Sequence, residues 1–405
     1  MSQVASKRDR FRWTILALIS FSHIVGATAQ YGINTLAPFY QDELGLSRAQ
    51  VGLFFSAFYL AMTGLSFGAG WLADRLGVCK TTLQGHLALG ICTVAAALAP
   101  SFPWACASFF LAGLGYSFLN PASTKGVMGW FPHDERATAM GTKQMGVPAG
   151  GVVTAMLAPQ LVLIIGWRGA LAALGVVNFF FGFLFSFFWR DPPDRNTTDV
   201  SAGPAVRNTP APLNMWSFLP ISCGTAIYLV GQMSLITYIP LYLKDAMGFS
   251  GYWASQALAL TQAGAMIGRI GWGIASDRLF GGRRKVVLII IGLLSALLVG
   301  LLSLMNRQSS FLPLLFLFLS GICLVGYQGV SYALIGELAG KDRTGAALGM
   351  MITINAACAT LGTPLFGYIV DRTGSYSIAW RTLAGALGLG VIGLAVLVKE
   401  PRRVS

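Results

Sequence analysis

The 405-residue chain is 55% hydrophobic and 11% charged, with a formal net charge of +13. A mean hydropathy of +0.65 lies far outside the range of soluble domains and excludes one. The basic balance does not imply nucleic acid, because the Lys and Arg residues flank apolar runs instead of clustering on a polar fold.

Taken in chain order, apolar runs of about 20 residues recur, each long enough to cross a ~30 Å hydrocarbon core as a helix. They predict an all-α integral membrane protein with twelve spans, at 14–36, 50–72, 81–100, 104–128, 138–164, 169–189, 216–243, 252–275, 286–305, 311–335, 345–370 and 379–398. The first follows KRDRFRW and runs into ATAQ, which resembles a signal peptide with small residues, Ala27 and Ala29, at its cleavage site. Similar sequence returns in mid-chain, where nothing can be cleaved, so the segment is expected to stay as a helix. The stretch at 190–212 has the Pro, Gly and polar content of a linker. It divides the chain into an N-terminal unit (1–190), a linker (191–214) and a C-terminal unit (215–405). Cys92, Cys106, Cys223, Cys323 and Cys358 lie in predicted helices and Cys79 in a loop, with no disulfide framework and no metal-ligand spacing. With the N-terminus cytoplasmic, nineteen of the 28 Lys and Arg fall on that side and six on the other. This positive-inside bias places both termini in the cytoplasm. No Gly-rich phosphate loop indicates direct use of ATP, and no cofactor or enzymatic constellation stands out.

The two units repeat each other. QYGINTLAPFY at 30–40 matches QMSLITYIPLY at 232–242, pairing Gln30 with Gln232, Pro38 with Pro240 and Tyr40 with Tyr242. GAGWLADRLG at 68–77 matches GWGIASDRLF at 271–280, and DERATAMG at 134–141 matches KDRTGAALG at 341–349. An even number of spans per unit gives both the same orientation, and parallel repeats place a substrate site at midplane between them. Twelve spans in two halves, with Gly70, Leu72, Ala73, Asp74, Arg75 and Gly77 after the second, resemble the major facilitator superfamily and its loop 2–3 signature. Gly273, Ser276, Asp277, Arg278, Gly282, Arg283, Arg284 and Lys285 resemble a weaker second copy. Val78 and Cys79 depart from the family pattern, which expects basic residues there. The resemblance implies two pseudo-symmetric six-helix bundles working by rocker-switch alternating access. It also implies that Asp74 docks on the start of the eleventh helix near Thr344 to Ala346, beside Arg343. By symmetry Asp277 would dock on the start of the fifth near Ala137 to Ala139, beside Arg136. The physical basis is that free amides and the dipole at a helix N-terminus favour a carboxylate.

Three cations, Lys125, Lys143 and Arg269, fall inside apolar spans, whereas every acidic residue falls near a helix end or in a loop. An unpaired cation costs about 2.5–3.5 kcal/mol on insertion scales, so its natural partner arrives from outside as an anion. Arg269 lies about 12 Å up the helix from Asp277, near midplane, and shares a face with Gln262. A guanidinium fork there can grip both oxygens of a carboxylate. GAMIGRIGWG resembles the eighth helix of the oxalate:formate and monocarboxylate branches, where an arginine binds the substrate carboxylate. The oxalate:formate branch has a lysine in the eleventh helix, but here that helix offers only Asn355. Lys143, in the fifth, either substitutes for that lysine or snorkels to the interface. Lys125, close to an interface, reads as snorkelling.

In this family the first, fourth, seventh and tenth helices line the cavity. Here they carry His23, Gln30 and Asn34; Tyr116, Asn120 and Ser123; Thr225, Tyr228 and Gln232; and Tyr327, Gln328 and Ser331. Gln and Asn also serve simply to join helices in membrane bundles. His23 reads equally as a packing residue and as a proton carrier. Family drug:proton antiporters resemble one another in a fourth-helix arginine that is Phe109 here. The expected function is secondary transport of a small mono- or dicarboxylate, by proton symport or anion exchange. The expected protein is a monomer in a cell inner membrane. A drug exporter is the first alternative and a receptor or enzyme on the same scaffold the second.

Overall fold

The computed structural model describes residues 2–64, 66–131, 135–190, 218–306, 311–339 and 344–398. Side chains are described there except at residues 2–10, 66–68, 70, 74, 136–138 and 344–346. The secondary structure of the described residues is entirely helical. In chain order the elements are α1 (Ser2–Thr35), α2 (Ala37–Leu44), α3 (Arg48–Gly64), α4 (Ser66–Ala97), α5 (Phe102–Ser117), α6 (Leu119–Trp130) and α7 (Arg136–Phe188). They continue with α8 (Leu219–Asp245), α9 (Gly251–Ile274), α10 (Arg284–Leu302), α11 (Leu312–Ser320), α12 (Gln328–Ala339), α13 (Thr344–Thr373) and α14 (Tyr376–Leu397). Short π-helical turns at Ala275–Leu279 and Gly321–Val325 follow α9 and α11. Among the described residues, eight stretches are long and apolar enough to cross a membrane, and the 50-residue one at Ala139–Phe188 is long enough for two passes. Where the twelve expected spans fall on described residues they are mainly helical, the second, fourth and tenth each spread over two helices.

Several boundaries differ from expectation for local reasons. The second span runs over α3 and the start of α4, and the third follows within α4 after a break at Gly77 (φ 80°, ψ 170°), so Asp74 and Arg75 sit in the final helical turn before that break rather than beyond it. The fifth and sixth spans join in α7 at Gly166 (φ 68°, ψ 171°). Only glycine adopts such backbone without strain. Positive-φ glycines recur at matched places of the two repeats: Gly45 with Gly248, Gly77 with Gly281 and Gly282, and Gly166 with Gly374. The repeat is therefore one of turn geometry as well as of sequence.

The fourth and tenth spans are not continuous. The fourth breaks between α5 and α6 around Phe118, just ahead of Pro121, whose missing amide weakens the ladder. The tenth breaks at the Gly321–Val325 π-turn before α12 resumes at Gln328. Asn120 and Gln328 thus occupy corresponding positions, each at the start of the second half of a broken helix. Broken helices of this kind form substrate sites in membrane transporters because they free polar groups at depth.

Helices of the N-terminal repeat pack on one another: α1 on α7, α4 on α5 and α7, and α3 on α5. Those of the C-terminal repeat do likewise: α8 on α13, and α10 on α14. The two most extensive pairings between the repeats are α3 with α13 and α7 with α9, with smaller ones joining α1, α2 and α3 to α8 and α1 and α2 to α9. We call the end where α1 begins and α14 finishes the terminal end. The described hydrogen bonds between the repeats lie mostly at the opposite end.

Candidate functional site

Arg269 comes from α9, whose N-cap Ser250 accepts a hydrogen bond from the Trp253 amide. Its Nη2 donates to Gln328 Oε1 at 3.0 Å, and its Nη1 to the Gln144 carbonyl across the repeat boundary at 3.4 Å. Its Nε is buried with no partner. Gln328 Nε2 donates in turn to Gln232 Oε1 at 3.5 Å. The guanidinium acts electrostatically on the hydroxyls of Tyr31, Tyr116, Tyr327 and Tyr332, which come from both repeats. Among the described residues its partners are neutral oxygens and no carboxylate pairs with it. Neutral oxygens solvate a guanidinium but leave its charge uncompensated.

Lys143 is 1% exposed. Its Nζ donates to Asn120 Oδ1 at 3.0 Å, to Ser123 Oγ at 2.9 Å, to Thr124 Oγ1 at 2.6 Å and, more weakly, to the Asn120 carbonyl at 3.3 Å. An ammonium has three protons, so these acceptors saturate it. Lys143 therefore neither snorkels nor opens into the cavity, as the two sequence readings had it. It fastens α7 to the broken fourth span through Asn120, which is itself exposed. The two cations meet on one turn, since Arg269 bonds the carbonyl of Gln144, the residue next to Lys143. Each also holds the polar residue at its nearest helix break, Lys143 on Asn120 and Arg269 on Gln328. Their convergence had no signal in the linear sequence.

His23 is 2% exposed, and its Nε2 lies 2.8 Å from Ser123 Oγ. Its Nδ1 is buried and unpartnered. A second buried histidine, His86, bonds Ser22 Oγ through Nε2 at 2.8 Å and Asn178 Oδ1 through Nδ1 at 3.3 Å. Gln30 and Gln232 are buried, at 6% and 3%. Asn34 and Gln262 are each 0% exposed; both amide atoms of Asn34 are unpartnered, and Gln262 lies beside the Tyr31 hydroxyl. Gln262 packs on Gly151 of α7, where an added Cβ would come within 3.1 Å of its Nε2.

Four expected cavity residues sit elsewhere. Tyr228 is fully buried, and its hydroxyl donates to the Leu288 carbonyl of α10 at 3.0 Å. Tyr327 packs edge-on against Tyr228 and bonds the Thr225 carbonyl at 3.4 Å. Asn355 and Thr225 bond each other within the C-terminal repeat at 3.2–3.3 Å. These residues join helices of one repeat, which helical spacing alone cannot distinguish from lining a path. Lys125 is exposed and donates to the Ala73 carbonyl at 2.9 Å, tying α6 to α4.

The expected gating residues are described in part. The side chains of Asp74 and Arg136, the surroundings of Gly70, and Arg343 lie outside the described residues. Arg75 stacks over Trp71 at 4.0 Å. Asp277 pairs with Arg284 at 2.6 Å, and Arg284 also reaches Glu337 at 3.2 Å. Partial burial opposes the Arg284 charge, yet Glu337 and Asp277 hold it protonated above the usual arginine value. Arg278 lies in the π-turn and Gly273 faces open space.

Sequence reasoning missed a cluster at the opposite end. Arg48 at the start of α3 donates to Asp245 Oδ2 at 2.8 Å and to the Tyr376 hydroxyl at 3.2 Å, and lies 3.7 Å from Asp371. Asp371 accepts from the backbone amides of Arg48 and Ala49 at 3.0 and 2.9 Å. That is the carboxylate-on-helix-N-terminus device expected of Asp74, found at the other end. Tyr238 bonds the Arg48 carbonyl at 3.1 Å, Ser255 bonds the Thr35 carbonyl at 2.6 Å, and Lys244 pairs with Asp42. Partial burial opposes the Arg48 charge, but Tyr376 and Asp245 outweigh it and raise its proton affinity above the usual arginine value. The available signal was Asp42 and Asp245, acids at matched repeat positions, each with a base nearby.

Comparison with known proteins agrees with this fold. The chain is 28% identical to "Probable sulfoacetate transporter SauU" of Cupriavidus necator, over 98% of this chain and 95% of that one. It is 25% identical to the hexuronate transporter of Bacillus subtilis, over 96% and 94% respectively. Its fold matches the inward-open xylose transporter XylE from E. coli with a TM-score of 0.79 at 12% identity, covering 97% of this chain and 98% of that one. The Major Facilitator Superfamily profile matches residues 19–363 and 257–404. With two six-helix repeats, matched turns and relatives named as transporters across their length, the chain belongs to the Major Facilitator Superfamily.

Proposed function

We propose that the chain is a secondary transporter of a small organic anion, and that Arg269 grips the anion's carboxylate or sulfonate. One observation carries this reading. A half-buried guanidinium stands between the repeats, bonded by neutral oxygens alone and with its Nε orphaned. A bound carboxylate would supply both the missing acceptor and the missing charge. Gln328, Gln232, Gln262, Gln30, Asn34, Tyr116 and Asn120 complete the site as neutral donors and acceptors, and Lys143 contributes through Asn120. The relatives named for sulfoacetate, hexuronate and galactarate/D-glucarate support an acidic substrate. The terminal end is cytoplasmic, so a structure joined at the opposite end faces inward. The protein works as a monomer in the cell inner membrane, coupling the anion to a proton, with His23 as its carrier, or to a counter-anion.

Calorimetric titration of the purified protein with sulfoacetate, galacturonate and D-glucarate tests the reading. At least one should bind, and Arg269→Lys should weaken that binding about tenfold or more through loss of the planar fork. Equal affinity in a folded Arg269→Ala variant would refute the assignment.

A further inference from the structure

The triad of His23, Ser123 and Lys143 is not needed to hold an anion, yet its hydrogen bonding is unusually determinate. Ser123 Oγ donates its one proton to the Asn120 carbonyl at 2.8 Å. Its oxygen accepts from Lys143 Nζ at 2.9 Å, and it lies 2.8 Å from His23 Nε2. Taking the Asn120 carbonyl as the acceptor of the hydroxyl proton assigns the proton of neutral His23 to Nε2. That leaves Nδ1 bare, buried and without a partner. The titratable groups facing His23 among the described residues are Lys143 from α7 and His86 from α4. His86 already has both ring nitrogens engaged. Lys143 also grips Asn120 Oδ1, and Asn120 is exposed, so its amide links the ammonium to whatever lies beside the helix break.

We propose that His23, Ser123 and Lys143 form a proton-loading site that senses the occupancy of the anion site through Asn120. This inference rests on the anion-transport reading above and specifies its coupling. When the cavity is empty, the saturated Lys143 ammonium opposes a second positive charge on His23, one hydroxyl oxygen away. An anion beside Asn120 offsets the ammonium's field and competes for the Asn120 amide. His23 Nδ1 then takes one proton from solvent while Nε2 keeps its own, giving an imidazolium, and the added positive charge balances one negative charge of the anion. Linkage requires the converse: protonated His23 raises anion affinity by the factor by which the anion raises proton affinity, within the ~5- to 150-fold typical of such coupling. No acidic residue takes part. This accounts for a chain whose described spans contain two engaged histidines and no carboxylate partner for the central cations.

The test measures binding and proton uptake together. Purified protein in weak buffer with a pH indicator is titrated with sulfoacetate, galacturonate and D-glucarate between about pH 5.5 and 8.5, where the ligand carboxylates stay ionised. The wild type should take up close to one proton per anion in part of this range, with affinity rising as pH falls. His23→Gln should bind the anion with pH-independent affinity and take up none. Ser123→Ala should reduce the uptake, Lys143→Gln should change its midpoint, and Lys143→Arg should partly restore it. A midpoint shift is not expected of a lysine with a purely structural role. Anion binding without proton uptake in the wild type, or unchanged uptake in both His23→Gln and Ser123→Ala, would overturn the inference and leave the transport reading standing. Failure to bind any of the three anions would overturn both.

Discussion

Arg48 offers the sharpest test of how the two repeats are held together. It bridges to Asp245 at 2.8 Å and Asp371 at 3.7 Å from a side chain one-third exposed, against carboxylates about one-fifth exposed. Partly exposed ion pairs contribute roughly 0.2–1 kcal/mol each, and the Tyr376 hydrogen bond adds a comparable amount. Arg48→Ala removes all three and leaves two carboxylates unpaired, so a loss of about 2 kcal/mol is reasonable. That favours separation of the opposite end by roughly 30-fold, since 1.4 kcal/mol is a factor of ten. The backbone bonds from Asp371 to the amides of Arg48 and Ala49 survive the substitution, which limits the effect. Spin labels at Ser47 and Ser377, in a background lacking the six native cysteines, report the distance across this end. Arg48→Ala should shift the distance distribution toward longer values, and Asp245→Asn should do so less. Identical distributions for Arg48→Ala and wild type would refute the reasoning.

Other outcomes follow from single contacts. Asn34→Leu replaces a buried amide with both atoms unpartnered, so it should stabilise the joined state by about 1–3 kcal/mol and slow turnover, read as a shift of the same spin-label distances. Tyr228→Phe removes a hydroxyl bonded to Leu288 and should lower thermal stability by about 1 kcal/mol without changing the KM for the anion. Gly77→Ala forces φ 80° on a residue with a Cβ and should cost about 1–3 kcal/mol, seen as a lower Tm by tryptophan fluorescence. Because an empty site leaves its cations without a counter-charge, liposomes preloaded with substrate should take it up faster than empty ones.

The architecture was legible because it is written twice. Gln30 with Gln232, Asp74 with Asp277 and the glycines of the matching turns impose the same local geometry at an offset near 203, and composition makes every run a membrane helix. Arg269 was legible as well, because an unpaired cation in an apolar run is costly enough to stand out. The direction of helix faces was not. Thr225, Tyr228 and Gln232 share one helical stripe, but only Gln232 reaches toward Arg269 through Gln328, while Tyr228 turns to α10. A stripe shows periodicity without naming the neighbour it meets. The breaks at Phe118 and at Gly321–Val325 were hidden too, although Pro121 marked the first. They place Asn120 and Gln328 where each receives a cation, which no linear spacing reports. The Arg48 cluster lies at helix ends, where charges look solvated until the far repeat is brought against them.

The central claim is that anions cross through Arg269, and initial uptake into proteoliposomes tests it most directly. The rate should be compared for each acid and its uncharged amide, sulfoacetate and D-glucarate being the first acids, in wild-type and Arg269→Gln protein reconstituted at equal density. The account predicts rapid, saturable uptake of at least one acid by the wild type, none of its amide, and a loss of at least tenfold in Arg269→Gln. Equal uptake of acid and amide, or full acid transport by the folded Arg269→Gln variant, would contradict it.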